Sequence, residues 1–216
     1  VLPSIGGDFE INFDDKQIFN KSLRSYKPNY NKKYIYYTHC GRSAISLAIK
    51  ILKKKNNNLK VLLPLYCCKS VIQPFKENGM KILYYSMGQD LNSPNNLPEN
   101  TNNTLLLFIH YFGKKNTSML KFITKQKRIS NNFFIIEDLV QTCLSKIYKN
   151  YVGDFLITSF RKFLPVPDGA ILATDYLYNN NLLISDPDYL AKKILSKTLR
   201  KNNMNIIIIP RRERRI

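Results

Sequence analysis

Short apolar runs that alternate with helix-period segments constrain the fold of this 216-residue chain more than any other feature. Six runs have the length and composition of buried strands and are bounded by polar or turn residues: KVLLPLY, MKILYYS, NTLLLFIHY, NFFIIED, FLITSF and GAILATD. Three segments between them repeat apolar residues at three- and four-residue spacing, as amphipathic helices do: SAISLAIKILKKK, KSVIQPFKENG and SMLKFITKQKRIS. This alternation predicts an α/β fold with a mostly parallel sheet.

The remaining segments are less regular. SKIYKNYVGD predicts a small hairpin around Lys149 and Asn150, and DPDYLAKKILSKTLRKNN, after the last strand, predicts a long basic helix. The first residues, VLPSIGGDFEINF, lack the basic and apolar regions of a signal peptide, and no apolar run is long enough to span a bilayer. We therefore expect a cytoplasmic protein with no membrane partner.

The net charge of +19 raises the question of a polyanionic partner. The excess is diffuse, with lysine scattered among Asn-rich stretches such as KKKNNN, and the one dense cluster is RRERRI near Ile216. This pattern favours a compositional bias, so we expect no specific nucleic-acid partner. A basic protein that binds nucleic acid stays open as an alternative hypothesis.

The cysteine pattern argues against a metal site. The four cysteines show no CxxC spacing and the chain has only two histidines, so no zinc site is expected. Cys67 and Cys68 lie together in an apolar stretch, which favours buried, reduced thiols.

Polar residues that follow the strand-like runs are the candidate functional residues, because open α/β sheets bind ligands beyond the carboxyl ends of their strands. In HCGRSAISLAI, a loop enters a helix at Gly41, Arg42 and Ser43, where unpaired backbone N–H groups are suited to a phosphate. Taken alone, Ser43 is better explained as an ordinary helix N-cap, because caps are common and phosphate sites are not.

Three further places have the same character. FFIIEDLVQT sends Asp138 out of the end of a buried strand, with Gln141 three residues later, and a salt-bridged or capping aspartate is the alternative. LLLFIHYFG places His110 at a strand end, where a structural histidine is the simpler interpretation. DFLITSFRK places Ser159 and Lys162 after another strand, and this lysine is either a surface residue or a reactive amine.

Taken together and in this order, these motifs resemble those of the DegT/DnrJ/StrS family of sugar aminotransferases, over about Gly41 to Asp175. GRSAISLAI matches the family's phosphate-binding helix start, VLLPLY its strand and proline, and GMKILYYSMGQDL the following strand. HYFG matches HLYG, IEDLVQTCLS matches IEDAAQALGA, and Ser159, Phe160, Lys162 and Gly169 match the SF, lysine and GG elements.

The resemblance implies a three-layer α/β/α large domain of the aspartate-aminotransferase fold that binds pyridoxal 5'-phosphate. It implies that Lys162 bonds covalently to the cofactor and then shuttles protons, that Asp138 holds the pyridinium nitrogen, and that Gln141 lies near the ring oxygen. Arginine stays protonated, so Arg161 is a poor substitute for the lysine.

Other roles follow from the same resemblance. The phosphate falls to Gly41, Arg42, Ser43 and Ser159, although the segment from Ser159 to Lys162 is two residues shorter than in the family. The family's stacking aromatic residue falls on Cys68, with Tyr66 as the substitute.

The sequence thus predicts an aminotransferase that uses glutamate to aminate a keto nucleotide-sugar in surface polysaccharide biosynthesis and forms a homodimer. The predicted divisions are an N-terminal segment (1–40), a cofactor-binding core (41–175) and a helical extension (176–216), with the family's small domain missing or incomplete. The alternative is a catalytically inactive truncated homologue that serves as a binding or scaffold protein.

Overall fold

A computed structural model of the chain describes residues 30–142, 150–162 and 168–179. In these ranges eight strands form one sheet, in the order β1-β8-β7-β6-β5-β2-β3-β4. The strands are β1 (Tyr34–Thr38), β2 (Lys60–Pro64), β3 (Lys81–Met87), β4 (Pro94–Asn95), β5 (Thr104–Ile109), β6 (Phe133–Asp138), β7 (Phe155–Ser159) and β8 (Ala170–Thr174). Neighbouring strands from β7 through β6, β5 and β2 to β3 are parallel, whereas β8 and β4 run antiparallel to their neighbours. The predicted mostly parallel sheet is confirmed.

Helices cover both faces of this sheet. They are α1 (Gly41–Lys53), α2 (Lys69–Glu77) and α3 (Thr117–Ile129). Helix α1 buries an apolar stripe that includes Ala48 and Ile49, and it packs with Phe75 of α2 against one face of the sheet. Met119 and Ile123 of α3 pack against the other face. The three-layer α/β/α architecture predicted from the resemblance is therefore present.

Two strands were not predicted from the sequence. Strand β1 has no continuous apolar run, because its residues alternate between half-buried and exposed at the side of the sheet next to β8. Strand β4 has only two residues. The predicted hairpin covers residues 145–154, of which 145–149 lie outside the described residues and 150–154 form no strand. The predicted basic helix, over residues 186–203, lies outside the described residues.

The strand ends that concern function meet at one edge of the sheet. Strands β1 and β7 both run antiparallel to β8, so they point the same way as β6, β5 and β2. We call the edge where these strands end the carboxyl edge. Strand β2 lies between β3 and β5, so the chain reverses its direction of winding there, which is where α/β sheets open a binding crevice.

No helix among the described residues is long and apolar enough to cross a membrane. The same part of the chain contains no group of three or more His, Cys, Asp or Glu side chains placed to hold a metal ion.

Candidate functional site

Asp138 and Ser159 end neighbouring strands on the same face of the sheet. Ile136 of β6 and Ile157 of β7 belong to the core beneath α1, and side chains two residues apart on a strand share a face. Asp138 pairs in register with Ile157, two residues before Ser159. Strand geometry then puts the Asp138 and Ser159 Cα atoms about 8 Å apart, a separation that one small ligand bridges.

Asp138 is a buried carboxylate, and only one of its two oxygens accepts a hydrogen bond from a described residue. The side chain is only 8% exposed, and its Oδ1 accepts a hydrogen bond from the Val140 N–H at 2.8 Å. Its Oδ2 has no hydrogen bond to any residue that the structure describes, and this oxygen is not sealed from solvent. Burial raises the pKa of Asp138 to about 6, although the Val140 N–H and nearby His110 oppose that rise.

We expect Asp138→Asn to stabilise the chain without cofactor at neutral pH. The pKa of Asp138 in the folded chain, about 6, exceeds the ordinary value of 3.8, so folding favours the protonated side chain. The contribution of this side chain to the free energy of unfolding is therefore full below pH 3.8 and is lost as pH rises through 6. Asparagine keeps the acceptor for Val140 and has no proton to lose. The variant should gain about 1–3 kcal/mol in free energy of unfolding at pH 7, with no gain at pH 3.5.

Urea unfolding at several pH values measures this difference. Asp90→Asn is the matched control, because hydrogen bonds from Ser93 and Asn92 lower the pKa of the exposed Asp90. The Asp90 carboxylate therefore stabilises the folded chain, and this stabilisation is present at higher pH and lost in acid. Equal stability of Asp138→Asn and the unmodified chain at pH 7 would count against a destabilising buried carboxylate.

The first turn of α1 presents unpaired donors at the carboxyl edge. Cys40 is the N-cap residue, and its side chain makes no capping hydrogen bond. The Ala44 N–H bonds to the Cys40 carbonyl and the Ser43 N–H is directed to the Cys40 sulfur, but the backbone N–H groups of Gly41 and Arg42 have no acceptor within the described ranges. Ser43 is the third helical residue, so the alternative that it is the N-cap is wrong.

Ser159 faces this helix start. A Cβ atom built on Gly41 would lie 3.9 Å from the Ser159 Cβ, so only a short gap separates α1 from the end of β7. Ser159 is 4% exposed, and its hydroxyl has no hydrogen bond among the described residues. The Arg42 guanidinium, in contrast, donates to the Gln73 Oε1 of α2 at 3.0 Å, so only the backbone of Arg42 is directed to this gap.

Lys162 lies on a loop that is fixed at its base. The chain leaves β7 in a 3₁₀ turn over Phe160–Lys162. The Phe160 N–H donates to the Gly169 carbonyl at 3.0 Å, and the Gly169 N–H donates to the His39 carbonyl at 2.8 Å. Gly169 has a φ of 125°, a conformation that other residues rarely adopt. The Lys162 side chain is exposed and makes no hydrogen bond or ion pair with a described residue.

The other predicted site residues lie around the same edge. Gln141 is exposed, and its Oε1 accepts a hydrogen bond from the Phe112 N–H. Tyr66 is 59% exposed and follows β2 instead of lying on it, because the strand ends at Pro64. Cys68 is exposed and is the N-cap residue of α2. The described residues show no contact between Lys162 and Gln141, Tyr66 or Cys68.

His110 is a structural residue of the opposite face. Its Nδ1 accepts from the Asn116 N–H at 3.1 Å, so Nε2 carries the proton and donates to Glu137 at 2.9 Å. The second oxygen of Glu137 accepts from the Val152 and Gly153 N–H groups. A Cβ atom on Gly153 would lie 2.6 Å from the Glu137 Cβ, so only glycine fits there.

Sequence reasoning missed Cys40 and Glu137. Cys40 directly precedes the predicted phosphate-binding turn, so its position was a usable signal. Glu137 directly precedes Asp138, but its partners at 110, 152 and 153 are brought together only by the fold.

The comparisons with known proteins agree on the fold. No protein-family model matches the sequence, and no curated protein sequence matches it. Among solved structures, the chain is similar to an aminotransferase from Psychrobacter cryohalolentis, with 16% identity and a TM-score of 0.53 over 77% of this chain. It is also similar to the sugar aminotransferase CalS13 from Micromonospora echinospora, with 13% identity and a TM-score of 0.57 over 92% of this chain.

A third similar structure is the E. coli GDP-4-keto-6-deoxy-D-mannose-3-dehydratase with bound hydrated PLP, with 15% identity and a TM-score of 0.50 over 68% of this chain. The chain spans 41%, 58% and 40%, respectively, of these three protein chains. The fold is therefore that of the sugar aminotransferases and the related dehydratase, as the sequence resemblance predicted.

Proposed function

We propose that the chain is the cofactor-binding part of a pyridoxal-phosphate-dependent aminotransferase of the DegT/DnrJ/StrS type. The observation that carries this proposal is Asp138, whose unpaired Oδ2 shares one edge and one face of the sheet with Ser159 and the start of α1. One end of this crevice thus offers a carboxylate, and the other offers donors for an anion. A dehydratase of the same fold has been solved with bound hydrated PLP, which supports the choice of cofactor.

The phosphate end fits the residues present. The N–H groups at a helix N-terminus carry a partial positive charge that favours an anion, and those of Gly41 and Arg42 have no acceptor among the described residues. The Ser43 N–H, directed to the Cys40 sulfur, lies beside them. The Ser159 hydroxyl adds a further donor, and Gly41 has no side chain to fill the gap between them. The residues that would hold the phosphate are therefore the backbones of Gly41, Arg42 and Ser43 and the side chain of Ser159.

The ring end fits as well. When bound, pyridoxal phosphate supplies an electron sink for the carbanion formed at the amino-bearing carbon. The Asp138 Oδ2 would accept a hydrogen bond from the ring nitrogen and keep its proton in place. The carboxylate is already deprotonated above about pH 6, and a cation beside it would lower its pKa further.

Lys162 would supply the covalent link and the proton transfers. Its side chain is exposed beside the carboxyl edge and is held by no described residue, so its Nζ is available to a ligand in the crevice. A released lysine amine takes and returns protons as a general base and acid. We assign Gln141 to the ring oxygen, through the amide nitrogen that its bond to Phe112 leaves unused, and Tyr66 and Cys68 to the exposed face of the ring.

A pair of adjacent variants tests the phosphate site. Ser159→Ala should weaken binding of pyridoxamine 5'-phosphate about 10- to 100-fold, the cost of one hydrogen bond to a charged group, and leave the weaker binding of pyridoxamine unchanged. Thr158→Val is the matched control. Thr158 points to the opposite face, and its buried hydroxyl has no hydrogen-bond partner in the part of the chain that the structure describes, so losing it should leave binding intact. Fluorescence titration measures both affinities, and equal affinities of the two variants would remove Ser159 from the site.

The homodimer is part of the same proposal. Leu65, Tyr66 and Phe112 are 61%, 59% and 72% exposed in loops at the carboxyl edge, and clustered exposed apolar side chains mark association surfaces. Phe112 has a backbone φ of 52°, in the left-handed region. We expect sedimentation velocity to show a dimer at micromolar concentration and Phe112→Ser to weaken it. A monomer throughout that range would contradict this expectation.

The substrate and setting are also proposed. We propose a keto nucleotide-sugar as amino acceptor, glutamate as donor, a role in surface polysaccharide biosynthesis and a cytoplasmic location. The proposed domain divisions are 1–40, 41–175 and 176–216. A catalytically inactive scaffold is not favoured, since such a protein gains nothing from a costly buried carboxylate at Asp138 or from an uncapped helix start.

A further inference from the structure

We propose that Cys40 is a modification site at which reaction with a small electrophile and occupancy of the α1 N-terminus by a phosphate group exclude each other. This inference rests on the proposed function, because it takes the start of α1 as the place of the cofactor phosphate. It goes beyond that function by assigning a regulation to the site: a modified Cys40 closes the phosphate position, and a bound phosphate protects Cys40.

The sulfur of Cys40 lies at the start of α1. Cys40 is the extended residue that precedes α1, with φ −159° and ψ 168°, so its side chain lies beside the first helical turn. Its Sγ is 3.5 Å from the Ser43 Oγ, and the residue is half-buried and reduced. The thiol therefore borders the backbone N–H groups of residues 41–43 that would hold an anion, and it already accepts from that of Ser43.

Ser159 independently indicates a ligand at this place. It is 4% exposed and its hydroxyl has no hydrogen bond to a described residue, and its Cβ would lie 3.9 Å from a Cβ atom built on Gly41. The hydroxyl is not sealed from solvent, so this largely buried donor is open to a ligand at the helix start. The combination of this hydroxyl and the uncapped helix start describes an anion position beside Cys40.

The charges around the sulfur come from three parts of the chain. Arg42 and Ser43 belong to α1, and Asp168 belongs to the loop before β8. His39 directly follows β1, and its Nδ1 is 3.8 Å from the Asp168 Oδ2. Burial and Asp168 raise the pKa of Cys40, but the Ser43 hydroxyl and N–H and the Arg42 charge outweigh them, so the pKa is lowered.

Cys67, at the same edge, shows the opposite behaviour. Burial, Cys68 and Asp138 raise the pKa of Cys67 to about 11. Cys67 therefore stays protonated at neutral pH and serves as an internal reference for an unreactive thiol in the same molecule.

The exclusion follows from charge. In the modification step, the Cys40 thiolate sulfur attacks the methylene carbon of iodoacetamide, a carbon–sulfur bond forms and iodide leaves. A phosphate on the same N–H groups adds negative charge beside the sulfur and favours the protonated thiol. A rise of one unit in pKa reduces the thiolate fraction, and hence the alkylation rate near neutral pH, about tenfold.

The test is carried out on the full chain with limiting iodoacetamide between pH 6 and 9, and peptide mass spectrometry reads each cysteine separately. The additions are inorganic phosphate, pyridoxamine 5'-phosphate and, as the control without phosphate, pyridoxamine. We expect both phosphate compounds to slow Cys40 about tenfold, pyridoxamine to have no effect, and inorganic phosphate to leave Cys68 unchanged. Ser43→Ala should slow Cys40 without any addition, because the thiolate loses a hydrogen bond.

Two outcomes would overturn the inference in distinguishable ways. If the chain binds pyridoxamine 5'-phosphate in equilibrium dialysis while the rate at Cys40 is unchanged, the exclusion is wrong and the proposed function stands. If dialysis shows no binding and neither phosphate compound protects Cys40, the exclusion and the proposed function fail together. Chain alkylated at Cys40 should also retain at least tenfold less pyridoxamine 5'-phosphate, and full retention would likewise refute the inference.

Discussion

Lys162→Ala should abolish covalent attachment of pyridoxal phosphate to the chain. After incubation with the cofactor and reduction with borohydride, the unmodified protein should keep about one equivalent through denaturing gel filtration, and the variant none. The reason is chemical, since only an amine that loses its proton forms this bond, and Lys162 is the lysine on the loop that Gly169 fixes at the carboxyl edge. Lys162→Arg keeps the charge and should fail equally, because arginine stays protonated.

The control for this experiment is a second exposed lysine at the same edge. Lys69 begins α2 next to Cys68, so Lys69→Ala removes a comparable surface amine and should leave attachment intact. Lys146→Ala, outside the described residues, should behave in the same way. Full attachment in Lys162→Ala would show that another lysine holds the cofactor.

Asp138→Asn should leave the cofactor attached but slow its reaction with glutamate by about three orders of magnitude. At an effective dielectric constant near 20, opposite charges about 4 Å apart attract by about 4 kcal/mol, which is worth about three units of pKa at the ring nitrogen. Without the carboxylate, that nitrogen loses its proton and the electron sink is lost. Stopped-flow absorbance under single-turnover conditions measures the rate.

The expected gain in stability separates this effect from misfolding. Asp138→Asn should be slower in amino transfer and more stable at pH 7, whereas a damaged fold would be slower and less stable. Asp90→Asn, on the surface, should keep the unmodified rate. An unchanged rate in Asp138→Asn would remove Asp138 from the chemistry.

Local pattern predicted much of the fold. The strands from β2 onward, except the two-residue β4, and all three described helices were predicted to within two residues at most ends, because each buries an apolar run or stripe that is visible in the sequence. The position of Asp138 at a strand end was predictable for the same reason. Strand β1 was not predicted, because it has no continuous apolar run and its side chains alternate between half-buried and exposed. Its pairing with β8 also joins residues that are far apart in the chain.

The details of the site depend on such non-local contacts. The motif CGRS grouped Arg42 with the phosphate-binding residues, but Gln73 on the next helix holds its guanidinium, so only the backbone remains for a ligand. The pKa of Cys40 is also set by a non-local contact, because Asp168, which only the fold brings near, opposes the lowering by Ser43 and Arg42. Likewise, the bond of Gln141 to Phe112 joins two loops whose approach no sequence spacing reveals.

The central claim is that Asp138, Ser159 and the start of α1 form one cofactor site. A crystal structure of the chain with pyridoxamine 5'-phosphate tests it most directly. We predict that the phosphate lies within hydrogen-bond distance of the Ser159 hydroxyl and of the backbone N–H groups at 41–43, with the ring nitrogen against the Asp138 Oδ2. A phosphate bound away from α1, or an Asp138 carboxylate whose two oxygens both bond to protein groups beside the bound ligand, would contradict the account.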